Sequence, residues 1–305
     1  MTLLHAYIVG AQKAGTTSLY NWLGQHPDVT APVAAKDFPL FSGDYGGFEQ
    51  RLSRMRSMYA QKVLDGGCVA LGAEANLVFS ERGIELLAAE APECRIIFVI
   101  RRPDTRCFSA WRYARERGLE DRSFAEAIND EILGKVYSAE SYEGRQKNYL
   151  EHSRYVDQLA ELQAHFSEER ILLLPFERMR ETPEGIMALV CEFLDLTPGF
   201  VWDFRALNKT AGRGRSSILN KILYRDRESA IFTMLRCVTP ATLRTRVREW
   251  AVRWNRVDVD AERIDPDPET MHRLSIALAD EVRLHELTID RVDAWLRARG
   301  VAPKQ

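Results

Sequence analysis

Lys13 lies in a short stretch whose residue types could hold an anion and break a bond beside it. Ile8 to Ser18 reads I-V-G-A-Q-K-A-G-T-T-S. An apolar run, Ala6 to Val9, ends at Gly10. Gly15-Thr16-Thr17-Ser18 then opens a segment with helical apolar spacing at Leu19, Trp22 and Leu23. A strand, a glycine-containing turn and a helix N-terminus make an anion site, because backbone N–H groups and the helix dipole converge on one spot. Gly10 and Gly15 have the spacing of a phosphate-cradling loop, G-x-x-x-x-G-K-[ST]. The next position departs from it: Thr16 stands where lysine is required, and Lys13 lies inside the loop instead.

The displaced lysine weighs against a kinase or ATPase. Such an enzyme needs its lysine on the terminal phosphates and an acidic partner for magnesium, and no strand here ends in a paired Asp/Glu. No metal is expected. A second constellation follows the β-branched run Arg95 to Ile100. It reads Arg101-Arg102-Pro103-Asp104-Thr105-Arg106-Cys107-Phe108-Ser109-Ala110-Trp111. A guanidinium fork suits phosphate as a bidentate donor, and Ser109 falls two helical turns beyond Arg101. Arg106 and Arg112 read as surface residues of the helix.

Q-K-A-G-T-T-S-L-Y followed by L-G-Q-H-P-D-V resembles the 5′-phosphosulfate loop of sulfotransferases that use 3′-phosphoadenosine 5′-phosphosulfate (PAPS). The Arg101–Trp111 stretch resembles their 3′-phosphate signature, R-x-P-x-x-R-x-x-S-x-[YW]. The resemblance implies that Lys13 stabilises the leaving group and that Ala14, Gly15, Thr16, Thr17 and Ser18 hold the 5′-phosphate. It puts Arg101 and Ser109 on the 3′-phosphate. Asn208 to Ser216 is similar to the basic loop that closes over that phosphate in carbohydrate sulfotransferases, which implicates Arg213, Gly214 and Arg215. The strand from Arg170 with its Phe176-Glu177 sequel, and the terminal Leu287 to Trp295, extend the likeness along nearly the whole chain.

A sulfuryl acceptor must lose a proton. In heparan-type sulfotransferases a glutamate does this in a K-E-x-x-F-F-like context, and Lys36-Asp37-Phe38-Pro39-Leu40-Phe41 occupies that place here. Asp37 is the first candidate base and Glu74, at the end of the second strand, the rival; a carboxylate serves if its environment suits the working pH. His26 belongs to the L-G-x-H-P cap and is read as structural. Phe38, Phe41, Tyr45, Trp202 and Trp254 are candidates to stack on a sugar or aromatic acceptor.

These groups need a scaffold. Strand-like runs at Ala6–Val9, Val69–Glu74, Arg95–Ile100 and Arg170–Leu174 alternate with helical segments at Phe48–Leu64, Glu81–Ala91, Pro103–Arg117, Phe124–Leu133, Asn148–Phe166 and Pro183–Leu194. That alternation predicts an α/β fold with a mostly parallel sheet between helices, the P-loop-like three-layer arrangement. Ligands in such sheets sit at the strands' C-terminal ends, so the turns after Val9, Glu74 and Ile100 are expected to share one cleft. From about Ile218 the chain reads as helical, closing with Pro268–Arg299. A single domain is expected over 1–305, with the α/β core in about 1–204 and a cofactor-covering loop and helical part in about 205–305.

At 305 residues with 46% hydrophobic content, the chain can bury a sizeable core. It has no signal-like start or membrane-length apolar run, and its five cysteines are scattered, so a soluble cytoplasmic protein without structural disulfides is expected. Charge is uneven. Arg205 to Arg256 holds thirteen Lys/Arg against three acids, a net +10 that leaves −12 for the rest of a chain at −2 overall. That surplus fits an anionic ligand, or, on the rival reading, a nucleic acid. The rivals separate in solution: a nucleotide kinase requires ATP with magnesium, and a nucleic-acid binder shows steep salt dependence. With the resemblance, a saccharide or small-molecule acceptor is expected and nucleic acid is not.

Overall fold

The structure, a computed structural model, describes residues 4–43, 47–59, 69–138, 141–204 and 266–301. Among the described residues five strands form one sheet, all of whose pairings are parallel: β1 (Ala6–Gly10), β2 (Val29–Thr30), β3 (Val69–Ala73), β4 (Arg95–Ile100) and β5 (Ile171–Pro175). Their order is β2-β3-β1-β4-β5. Parallel strands joined by helical crossovers are covered on both faces, which is why β1 and the Ile96–Ile100 run of β4 are buried throughout. The chain leaves β1 for β2 and β3 on one side and later leaves β4 for β5 on the other. The switch point therefore lies between β1 and β4, where connecting loops diverge and open a crevice.

The helices follow the expected segments closely. They are α1 (Thr16–Leu23), α2 (Phe48–Met58), α3 (Glu81–Glu90), α4 (Pro103–Glu116), α5 (Phe124–Ile132), α6 (Tyr142–Lys147), α7 (Tyr155–His165), α8 (Phe176–Glu181), α9 (Pro183–Leu194), α10 (Pro268–Ala277) and α11 (Ala279–Ala298). The expected helix over Asn148–Phe166 starts only at Tyr155. The N–H groups of Tyr149 and Leu150 donate to the Glu131 carboxylate at 2.6 and 2.8 Å, and the Asn148 amide pairs with the Tyr137 backbone. Those backbone groups are thereby committed to tertiary partners, and a 3₁₀ turn at Glu151–Ser153 bridges the gap. The expected closing helix divides at Leu278, which caps α11 with non-helical torsions. β2, α6 and α8 are too short for a periodic signal.

Two compact units emerge: 1–106 with 151–207 and 275–305, and 107–150 with 208–274. The first contains the sheet. Its core is the buried faces of β1, β3, β4, α1 and α9, joined by α7 and α11. Gly72 is required there, since a Cβ would come within 2.2 Å of the Tyr7 ring lying over β3. In the second unit Phe108, Trp111 and Phe124 pack as an aromatic cluster, and Arg122 pairs with Glu120 and Asp130. The basic stretch 205–256 lies outside the described residues.

Candidate functional site

All the site groups of the first unit stand at the C-terminal ends of β1, β3 and β4. The loop after β1 is stitched to both neighbours: Ala11 N–H donates to the Val99 carbonyl at 2.7 Å and Glu74 N–H to the Ile8 carbonyl at 3.0 Å. Lys13 and Gly15 have left-handed torsions, φ 72° and 86°, on either side of the buried Ala14. Gly15 needs its lack of a side chain twice, for the positive φ and because a Cβ would lie 2.8 Å from the Phe176 ring. No side chain caps α1. Its first-turn N–H groups, on Thr16, Thr17 and Ser18, are donors of the kind that an anion can satisfy. Thr16 is buried, while Thr17 and Ser18 are half-buried.

Arg101 extends from the end of β4 to this loop. Its Nη1 donates to the Lys13 carbonyl at 3.4 Å, its Nε donates to Thr105 Oγ1 at 3.1 Å, and its guanidinium lies 5.0 Å from the Phe176 ring centre. Burial lowers its pKa from the usual guanidinium value, with Glu177 opposing that effect and Arg180 and Arg106 adding to it. Arg180 lies 5.9 Å from the centre of the same ring, so two arginines make a cationic corner beside the loop. Arg106 is not the surface residue that the sequence suggested. It is fully buried, and its Nε donates to Ser153 Oγ at 2.6 Å. Arg112 is half-buried and pairs with Glu116. Ser109, also half-buried, lies on the part of α4 that belongs to the second unit.

The two carboxylates differ sharply. Asp37 has a left-handed φ of 56°, tolerable for aspartate, and its N–H donates to the Ala73 carbonyl at 2.8 Å. Its Oδ1 accepts from Lys36 Nζ at 2.5 Å and from Ala75 N–H at 3.1 Å, and the side chain is 54% exposed. Burial and then the charge of Asp37 raise the pKa of Tyr20 on α1. Glu74 is buried. It accepts from Tyr7 Oη at 2.8 Å, Phe41 N–H at 2.9 Å, and Ser42 N–H and Oγ at 3.2 and 2.5 Å. Burial raises its pKa against the pull of those four donors.

Sequence reading missed Phe176 and Lys36 as supports of the site. Phe176 follows directly on β5, so the rule that ligands gather at strand C-terminal ends would have singled it out. The aromatic candidates are mostly engaged elsewhere: Phe41 packs edge-on to Tyr7 at 5.4 Å, Phe38 is buried, and Trp202 packs on His26. Tyr45 and Trp254 lie outside the described residues, as do Arg213, Gly214 and Arg215. His26 has the structural role expected, buried with Nε2 3.0 Å from the Thr197 carbonyl. Among the described residues no group of three or more His, Cys, Asp or Glu could hold a metal ion. No helix among them is long and apolar enough to cross a membrane.

A family model for the sulfotransferase domain matches residues 4–204, the stretch that carries the sheet, the loop and Arg101. The chain belongs to the sulfotransferase family. Sulfotransferases of this family take their sulfuryl group from PAPS. Curated relatives include the bifunctional heparan sulfate N-deacetylase/N-sulfotransferase 1 of Caenorhabditis briggsae, 24% identical over 197 residues, and that of Homo sapiens, 24% identical over 195. Both matches cover 62% of this chain and 22% of the relative, so the chain spans about a fifth of their length. In fold, the crystal structure of a sulfotransferase from Alicyclobacillus acidocaldarius superposes with a TM-score of 0.53 at 22% identity. That match covers 72% of this chain and 90% of that one.

Proposed function

We propose that the crevice between β1 and β4 is the sulfuryl-transfer site and that the acceptor is a hydroxyl or amine of a saccharide or small molecule. The observation that carries this reading is the hydrogen bond from Arg101 to the Lys13 carbonyl, which joins the cation suited to a 3′-phosphate with the loop suited to a 5′-phosphosulfate. Ala14, Gly15 and the first turn of α1 hold the 5′-phosphate. Arg101 and Ser109 take the 3′-phosphate, and Arg213, Gly214 and Arg215 cover it; these last roles, with that of Ser109, rest on the family motifs.

In the transfer, the acceptor atom forms its bond to sulfur as the bond from sulfur to the bridging oxygen breaks. The departing 5′-phosphate gains negative charge, and Lys13 stabilises it. A sulfuryl group carries less charge than a terminal phosphoryl, so one cation with loop N–H groups can meet the need. The acceptor's proton passes to Asp37, which Lys36 and Ala75 N–H hold by Oδ1. Glu74 stands second, since both its oxygens already accept hydrogen bonds. The buried thiols Cys94, Cys107 and Cys191 support a reducing, cytoplasmic setting.

Thermal melting with ligands tests the reading. Adenosine 3′,5′-bisphosphate is expected to stabilise the protein without magnesium, and labelled PAPS with a panel of saccharides and small alcohols or amines to give a labelled product. Stabilisation by ATP with magnesium, and none by the bisphosphate, would overturn it.

A further inference from the structure

Glu177, on α8, is charged, close to Arg101, and has no part in the transfer described above. Its carboxylate is divided between two elements: Oε1 accepts the N–H of Arg102 at 3.1 Å, and Oε2 lies 2.7 Å from Nε2 of His285. His285 is buried on α11. The residues on either side of Glu177 are tied in as well. Phe176 lies under both Gly15 and Arg101, and Arg178 forks onto Asp293 of α11 with two bonds of 2.7 Å. Three consecutive residues thus link the loop, the turn after β4 and the last helix.

We propose that Glu177, held from α11 by His285, is a positioning residue that fixes the Arg101–Arg102 turn so that the Arg101 fork meets the donor's 3′-phosphate. This rests on the reading of Arg101 given above. Backbone N–H groups at strand ends have no sheet partner and swing unless something accepts from them. Glu177 Oε1 takes that of Arg102, immediately after Arg101. Its charge also opposes the loss of charge that burial imposes on Arg101. The charge itself repels an incoming phosphate, so it is the geometry of the acceptor oxygen, rather than the charge, that serves binding.

Titration calorimetry of the full chain with adenosine 3′,5′-bisphosphate and with adenosine 5′-monophosphate, which lacks the 3′-phosphate, separates the possibilities. Glu177→Ala is expected to cut the preference for the bisphosphate about tenfold and leave the monophosphate affinity unchanged. Glu177→Gln keeps an acceptor for Arg102 and restores the preference. His285→Leu, which releases Glu177 from α11, lowers the preference about threefold and is read in the same way if the alanine variant does not fold. Arg101→Ala is the control and should abolish the preference. If Arg101→Ala keeps it, the assignment of Arg101 fails, and this inference with it. If Arg101→Ala loses the preference while Glu177→Ala keeps it, or weakens both ligands equally, only the positioning role is overturned and Glu177 is a tie between helices.

Discussion

Lys13 and the two carboxylates are where the chemistry can be divided residue by residue. Lys13 is held in a left-handed conformation, with its carbonyl accepting from Arg101, so truncating its side chain leaves the loop's backbone bonds in place. Lys13→Ala is expected to lower kcat by about 10²–10³-fold with little change in bisphosphate affinity, because the lost contact matters when charge develops on the leaving oxygen. Unchanged turnover would remove Lys13 from the reaction. Asp37→Asn keeps the size and the Lys36 contact but cannot take a proton, so it should lose activity and still bind the bisphosphate. Glu74→Gln should behave in the opposite sense. It replaces one acceptor oxygen by a donor facing other donors, and stability should fall by roughly 1–3 kcal/mol in denaturant titration while activity per folded molecule persists. Full activity in the Asp37 variant and none in a folded Glu74 variant would reverse the two roles.

At the scale of elements, the start of α1 and the docking of α11 are the sensitive joints. Gly15→Ala needs a left-handed torsion of a residue with a Cβ and pushes that Cβ into the Phe176 ring. Ligand stabilisation of the melting temperature should vanish in this variant before the fold does, since the first turn of α1 and Phe176 both move. The α8–α11 joint gives a pH dependence. Burial alone would raise the pKa of Glu177, but His285 and the Arg102 N–H outweigh it and hold it below its ordinary 4.5. A depressed carboxylate contributes stability that is present above its unfolded pKa and is lost as the pH falls through the folded one. The protein should therefore lose stability as pH falls below about 4.5, and Glu177→Gln should flatten that part of the curve in melts between pH 6 and pH 3. An identical acid limb in the variant would show that the loss comes from other carboxylates.

For the whole molecule, ligand linkage is the direct measure of the proposed site. Bisphosphate at a hundredfold excess over its Kd should add about 2.7 kcal/mol of stability in the absence of magnesium. ATP–magnesium should add less, because it lacks the 3′-phosphate. Much of this architecture was legible in advance, for physical reasons. Ala6–Gly10 and Arg95–Ile100 are short, apolar runs bounded by glycine or proline, and each proved a central strand. Pro103 and Pro183 marked helix starts because proline suits a first turn. Asn148–Phe166 was misread because its apolar spacing is helical while its backbone donors are claimed by Glu131, 18 and 19 residues away in sequence. Arg106 departs from its expected place because a charge on an amphipathic helix ordinarily faces water, whereas tertiary packing buries it fully with its Nε donating to Ser153.

The sequence by itself determined the family, the alternation of strands and helices, and the residue types that the chemistry needs: a loop lysine, three small hydroxyl residues and an arginine after a buried strand. These are local properties of spacing and polarity. Tertiary structure decided which groups meet. It bonds Arg101 to the Lys13 carbonyl, surrounds Glu74 with four donors, leaves Asp37 half exposed, and slides Phe176 beneath Gly15. Each of these depends on chain segments brought side by side by the sheet order, and no periodicity within a single segment carries that information.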